Sequence, residues 1–168
     1  MKYTDYEEEM VQDLEKAKSP DHFDFVSVKV VRDKRMAYNM KPLNDSEKVY
    51  NQFSKVFRNE PREKFAAVFL DTQMNPIGAA VIGIGSCNLC AVDKPGIFRT
   101  AILLGATGLI LMHNHPSTVL DPSVEDLNVT RAVIDIGKLL GICVLDHIIF
   151  GDFGYRSMRD HGDVKFGS

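Results

Sequence analysis

Residues 108–140 read GLILMHNHPSTVLDPSVEDLNVTRAVIDIGKLL, and this stretch decides the fold. It opens with a short apolar run, 108–113, that lacks polar alternation and so predicts a strand buried on both faces. A loop containing two prolines follows over 114–122. A long amphipathic helix is predicted from Ser123 to Leu140, stopped by Gly141. Strand, loop and helix in this order fit an α/β class with a mixed sheet flanked by helices.

The chain on either side supports that class. Downstream, 142–151 and 155–158 read as closing strands, and the segment after Asp160 reads as a polar, loose tail. Upstream, Pro95 sits in the first turn of a helix expected over 95–106. Residues 63–71 (EKFAAVFLD) and 77–85 are strands joined by a turn-like stretch, and together predict a hairpin. Asp45 or Ser46 can cap a helix reaching Arg58, whose apolar face is Val49, Phe53, Val56 and Phe57. Nearer the N-terminus, 23–31 reads as a strand and 37–40 as a second extended piece. Residues 3–18 read as a helix, with Tyr6, Met10, Leu14 and Ala17 at helical spacing and Ser19-Pro20 at its end. The expected division is an N-terminal extension over 1–42 packed on a main domain over 43–160, with a tail over 161–168.

The 168 residues are enough for one domain with a substantial core. The apolar share of 45% and charged share of 26% place it among ordinary globular proteins. No apolar run is long enough to span a bilayer, so no membrane partner is expected. The opening MKYTDYEEEM is polar and acidic, unlike a secretory signal, which predicts a cytoplasmic protein. The net charge of −3 gives no basic footprint for nucleic acid. The densest basic run, Arg32 to Arg35, is accounted for by a turn between strands. Three cysteines without an export signal do not make a disulfide framework. Cys87 and Cys90 form a C-x-x-C that reads as small residues in a turn, with half a metal site or a redox pair as the alternative. Cys143 reads as core.

The chemistry concentrates between His113 and Asp126. His113 and His115 are two apart at a strand end, and the period of a strand puts both imidazoles on the same side. Pro116 then breaks the strand where a cleft can open. Ser123 and Asp126 are three apart in the first turn of the next helix and share a face. The intervening residues are enough to fold that turn back over the strand end. Two imidazoles and one carboxylate are a normal catalytic zinc set with water in the fourth position. Zinc makes hydroxide available near neutral pH. Such chemistry also needs a base and an oxyanion donor. Ser123 is placed to be the donor, and Glu63, opening the first strand of the hairpin, is the candidate base. Each feature alone has a plain structural explanation: surface histidines, a helix cap, a charged strand start. Their joint occurrence does not. Asp146 and His147 alternate to opposite faces, so both cannot point at the metal. Each reads as a buried, hydrogen-bonded strand residue, or as support behind a ligand imidazole.

The spacing H-x-H-P-x6-S-x2-D with an upstream Glu resembles the JAMM motif of JAB/MPN-type metallopeptidases, a family that includes zinc isopeptidases acting on ubiquitin. More closely, REKFAAVFLD, Gly85-Ser86, HNHPS, PSVED and LDHIIFGD resemble bacterial RadC-like proteins, long called DNA-repair proteins. The resemblance covers 43–158. It implies a cytidine-deaminase-like α/β fold of the JAB/MPN type. It further implies zinc on His113, His115 and Asp126, Glu63 as acid/base, and Ser123 stabilising a tetrahedral intermediate. The chain departs from the family where Lys94-Pro95-Gly96 replaces the usual Pro-Arg-Glu. It also departs where Thr118, Val119 and Leu120 replace the glycine and Asp-Pro that usually follow HNHPS. Longer relatives carry an N-terminal helix-hairpin-helix region, whereas this chain starts with an acidic helix and a strand. A zinc hydrolase acting on an amide bond of a peptide or protein is therefore expected. The alternatives are a DNA-repair accessory, with nucleic acid as partner by resemblance only, and a non-catalytic MPN-type scaffold.

Overall fold

A computed structural model describes residues 30–33, 35–38, 42–85 and 92–167. The expected helix at 3–18, most of the expected strand at 23–31, and Cys87 and Cys90 lie outside the described residues. Val30 and Val31, the last of that strand, are exposed and belong to no strand, and neither do Ala37 and Tyr38. These residues have alternation but no described strand to pair with. The Ala37 carbonyl instead accepts from Gln52 Nε2 at 2.7 Å.

In chain order the elements are α1 (Ser46–Phe57), β1 (Lys64–Leu70), β2 (Pro76–Ile84), α2 (Lys94–Leu104), β3 (Gly108–Asn114), α3 (Val124–Leu140), β4 (Cys143–Phe150) and β5 (Tyr155–Ser157). The sheet has five strands in the order β2-β1-β3-β4-β5. The β1–β2, β1–β3 and β4–β5 pairs are antiparallel, and β3–β4 is parallel. That parallel pair requires a crossover, which α3 supplies. This is a mixed α/β sheet flanked by helices, as the patterning predicts.

All seven residues of β3 are buried, because the sheet is covered on both sides. Val49, Phe53 and Phe57 of α1 pack on Ala66, Val68, Leu70, Ile110 and Met112 on one face. On the other face, Ile97, Phe98 and Ala101 of α2 and Val129, Val133 and Ile134 of α3 cover Phe65, Ala67, Phe69, Leu109 and Leu111. β1 and β3 thus send alternate residues into two separate cores.

The helix ends follow sequence chemistry. Asp45 caps α1 by accepting from Lys48 N–H. Ser123 caps α3, and Gly141 ends it at φ 69°, a left-handed conformation that favours glycine.

The β3–β4 register slips by one residue between Leu109 and Ile110, so Leu109 faces Val144 while Ile110 faces Asp146. A one-residue slip exchanges the faces of a strand. Val144 and His147, three residues apart, therefore both point toward the helix layer of α2 and α3.

The segment after Asp160 is docked, not loose. Val164 is buried, Phe166 packs on the core, and Arg156 binds both oxygens of Asp163 at 2.8 and 2.9 Å. Its two apolar side chains outweigh its polar composition. Cys143 begins β4 and is half-buried, with Sγ 3.8 Å from the Gly167 carbonyl, so it lies at the edge of the core. Among the described residues no helix is long and apolar enough to cross a membrane.

Candidate metal centre

His113 is the penultimate residue of β3 and is fully buried. Its backbone pairs with Phe65 of β1, whose ring lies nearly parallel to the imidazole at 5.9 Å. His115 follows the strand and keeps its pairing, since its N–H donates to the Phe150 carbonyl at 3.0 Å. The chain then turns sharply. Thr118 N–H donates to the His115 carbonyl at 2.9 Å, and Thr118 adopts φ 63°. That turn brings the Val119 carbonyl to 2.6 Å from His115 Nδ1. A carbonyl only accepts, so Nδ1 carries the proton and Nε2 of the neutral ring is bare.

Asp126 reaches the same point from the first turn of α3. His113 Nε2 and His115 Nε2 are 2.9 Å apart, and lie 3.2 Å from Asp126 Oδ1 and 3.3 Å from Asp126 Oδ2 respectively. These three residues can hold a metal ion. For zinc bonds of about 2.0–2.1 Å, neighbouring corners of a tetrahedron are about 3.3 Å apart. The contacts to the two carboxylate oxygens match, the imidazole pair at 2.9 Å stands somewhat closer, and two imidazole nitrogens with a carboxylate oxygen suit zinc chemically.

Ser123 and Asp126 form a capping box. Asp126 Oδ2 accepts from Ser123 N at 2.8 Å and from Ser123 Oγ at 2.6 Å, while Ser123 Oγ accepts from Asp126 N at 3.1 Å. The Ser123 hydroxyl therefore lies beside the group but is turned onto the Asp126 carboxylate.

Burial alone would raise the Asp126 pKa. The close contacts with the His113 and His115 imidazoles and the hydrogen bond from Ser123 outweigh it and hold this carboxyl far below the ordinary carboxylate range. His115 is pushed above the usual histidine value by its contact with Asp126, against burial, with help from the Val119 carbonyl and the charges of Asp126 and Glu63. Glu63 is thus within electrostatic reach of His115. It lies half-buried just before β1, and its carbonyl accepts from Gly85 N–H at 2.9 Å.

Asn114, between the two histidines, anchors the segment that carries Glu63. Its Oδ1 accepts from Lys64 N–H at 2.8 Å, and its Nδ2 donates to the carbonyls of Glu60 and Arg62 at 3.3 and 3.1 Å. Alternation points this side chain away from the imidazoles, which is why the metal spacing gives no hint of it.

Behind His113 stands His147, whose Nε2 is 2.8 Å from His113 Nδ1. His147 Nδ1 is 2.6 Å from Thr130 Oγ1. Burial, reinforced by the neighbouring imidazole of His113, holds the His147 pKa well below its usual value. Asp146 points elsewhere. It accepts from His147 N, Ser157 Oγ and Arg159 N at 2.7, 2.6 and 3.1 Å, which secures the register slip and the turn after β5. Burial pushes the Asp146 carboxyl up despite the hydrogen bonds from Ser157 and Arg159. Thr130, one turn beyond Asp126, is a residue the sequence pattern does not single out. Its only signal is that positions 126 and 130 share a helix face.

The sheet and its helix layers define a JAB-type α/β domain. Residues 43–163 match the family model described as RadC-like JAB domain, and the chain belongs to that family, which is related to the JAMM hydrolases. It is similar to a UPF0758 protein of Methanosarcina mazei, 41% identical over 117 residues, or 70% of this chain and 51% of the relative. A UPF0758 protein of Methanosarcina acetivorans is 43% identical over 108 residues, covering 64% and 47%. One from Desulfitobacterium hafniense is 38% identical over 120 residues, covering 71% and 53%. The chain spans about half the length of the curated relatives it matches.

Proposed function

We propose that this domain is a zinc-dependent hydrolase that cleaves an amide bond in a peptide or protein. The observation that carries the reading is the convergence of His113 Nε2, His115 Nε2 and the Asp126 carboxylate, with separations of 2.9 to 3.3 Å. A zinc ion held there supplies a Lewis acid that acidifies water and polarises a carbonyl. The chain supplies the rest. Glu63 takes the proton of the attacking water and passes it to the leaving amine. Asn114 keeps the Glu63 segment against the strand that carries both imidazoles. The Ser123 hydroxyl, released from Asp126 by rotation about χ1, donates to the oxyanion. His115 keeps Nδ1 on the Val119 carbonyl and so presents Nε2 throughout.

The test pairs metal content with turnover on a panel of peptide and isopeptide-linked substrates. Protein purified without chelators is expected to hold one equivalent of zinc, lost in His113→Ala. Glu63→Gln is expected to keep zinc and lose cleavage by about 10²-fold or more. Wild-type protein without stoichiometric zinc, and indistinguishable from His113→Ala in metal content, would overturn the proposal.

A further inference from the structure

We infer that Thr130 and His147 form a buried relay that fixes His113 in the one tautomer able to bind metal. The inference rests on the metal-centre reading above and assigns positioning roles to two residues outside the ligand set.

The direction of the relay follows from the hydrogens. Thr130 Oγ1 lies 2.6 Å from the Asp126 carbonyl oxygen, one helical turn back. Two oxygens at that distance need a proton between them, and a carbonyl cannot supply it. The single hydroxyl proton of Thr130 is therefore committed to Asp126. His147 Nδ1, 2.6 Å from the same Oγ1, must then donate. A neutral imidazole with Nδ1–H has its lone pair on Nε2. His147 Nε2 thus accepts from His113 Nδ1 across 2.8 Å. With its proton on Nδ1, His113 leaves Nε2 bare, and this is the atom 2.9 Å from His115 Nε2 and 3.2 Å from Asp126 Oδ1.

The reverse polarity fails at both ends. It moves the Thr130 proton onto His147 and leaves two oxygens at 2.6 Å with nothing between them. It also puts a proton on His113 Nε2, where the metal would bind.

Among the described residues nothing nearby scrambles the direction. His113, Thr130 and His147 are each fully buried, so water does not compete. The Phe65 ring lies face-on to His113 at 5.9 Å and edge-on to His147 at 5.3 Å, and holds both rings in place. Among the described residues the other hydrogen-bonding group near the hydroxyl, Met158 Sδ at 3.7 Å, is a weak acceptor. The relay also closes on itself. It starts at the backbone of Asp126 and ends at the nitrogen that shares a metal with the Asp126 side chain. A hydrogen-bonded path thus ties β3, β4 and α3 together behind the site.

The experiment has two arms. Long-range ¹H–¹⁵N imidazole spectra of the metal-free wild-type protein read the tautomers directly; both His113 and His147 are expected as Nδ1–H. Zinc affinity is measured by chelator competition in wild type, Thr130→Val and Thr130→Ser. Thr130→Val keeps the shape but removes the acceptor, so His147 turns to its Nε2–H form and His113 follows. Zinc affinity is then expected to fall about 10- to 100-fold. Thr130→Ser keeps the hydroxyl and is expected to bind within a few-fold of wild type, as a packing role for the threonine methyl would not predict. His147 in the Nε2–H form in wild type, or wild-type zinc affinity in Thr130→Val, would overturn the relay alone. A wild-type protein with no zinc affinity would remove the metal-centre reading, and the relay's function with it.

Discussion

Thr118 is the most strained residue beside the site. A β-branched residue at φ 63° costs about 1–2 kcal/mol relative to glycine. The strain sits in the turn that delivers the Val119 carbonyl to His115. The resemblance to RadC-like sequences implies a glycine after HNHPS, and Thr118 stands there in this chain, in a conformation that suits glycine better. Thr118→Gly is expected to stabilise the protein by about 0.5 kcal/mol, since the relieved strain exceeds the added freedom of the unfolded chain. Urea denaturation measures this, and zinc content should stay unchanged. Ser123 separates cap from chemistry. Ser123→Ala should lose about 1 kcal/mol of stability with the cap, whereas Ser123→Gly should lose only a few tenths. If the hydroxyl serves the oxyanion, both variants lose turnover by about 10²-fold. Activity that tracked stability across this pair would assign Ser123 to capping alone.

At the scale of elements, α3 ends by pressing its backbone onto the start of β4. A Cβ on Gly137 would lie 2.5 Å from the Ile142 carbonyl oxygen. Glycine to alanine in mid-helix usually stabilises by about 1 kcal/mol. Here Gly137→Ala is expected to destabilise by about 2 kcal/mol, because the obstacle is backbone and cannot rotate away. A thermal melt decides the sign. The same element shows what sequence can convey. Ser123, Asp126 and Gly141 announced both ends of α3, and unbroken apolar character marked β3 as doubly buried. The histidine pair was legible because a strand has period 2. The slip opposite Leu109 was not, since it arises from how two backbones pair and leaves no mark in residue types. Strict alternation put Asp146 and His147 on opposite faces, which holds. Which of them meets His113 depends on the register.

For the whole molecule, closure depends on the C-terminal segment. Arg156 binds Asp163 through two nitrogens and Asp121 through a third at 3.1 Å, joining β5, the terminal segment and the loop before Ser123. The polar composition of 161–167 hid this, because two apolar side chains and one guanidinium fork suffice to dock it. The hydrogen bonds from Arg156 hold the Asp163 carboxyl below its usual value, against the opposing effect of burial. Its folded pKa lies below its unfolded one, so the stabilisation is fully present above about pH 4 and fades as pH falls through the folded value. Asp163→Asn is expected to cost about 1 kcal/mol at pH 7 and progressively less on acidification below pH 4. Urea titrations at several pH values follow the difference. A gap that widened in acid would contradict this assignment.

The candidate ligands, the threonine and the histidine behind them all fall between positions 113 and 147, within one strand–helix–strand crossover. Glu63 alone comes from outside that crossover, tethered through Asn114. Such an arrangement resembles a cassette: one contiguous piece of chain brings the two imidazoles, the carboxylate and their buried supports together, and the hairpin brings Glu63 up to it. The chain spans about half the length of its curated relatives, and its three candidate ligands and their buried supports all lie within that one crossover.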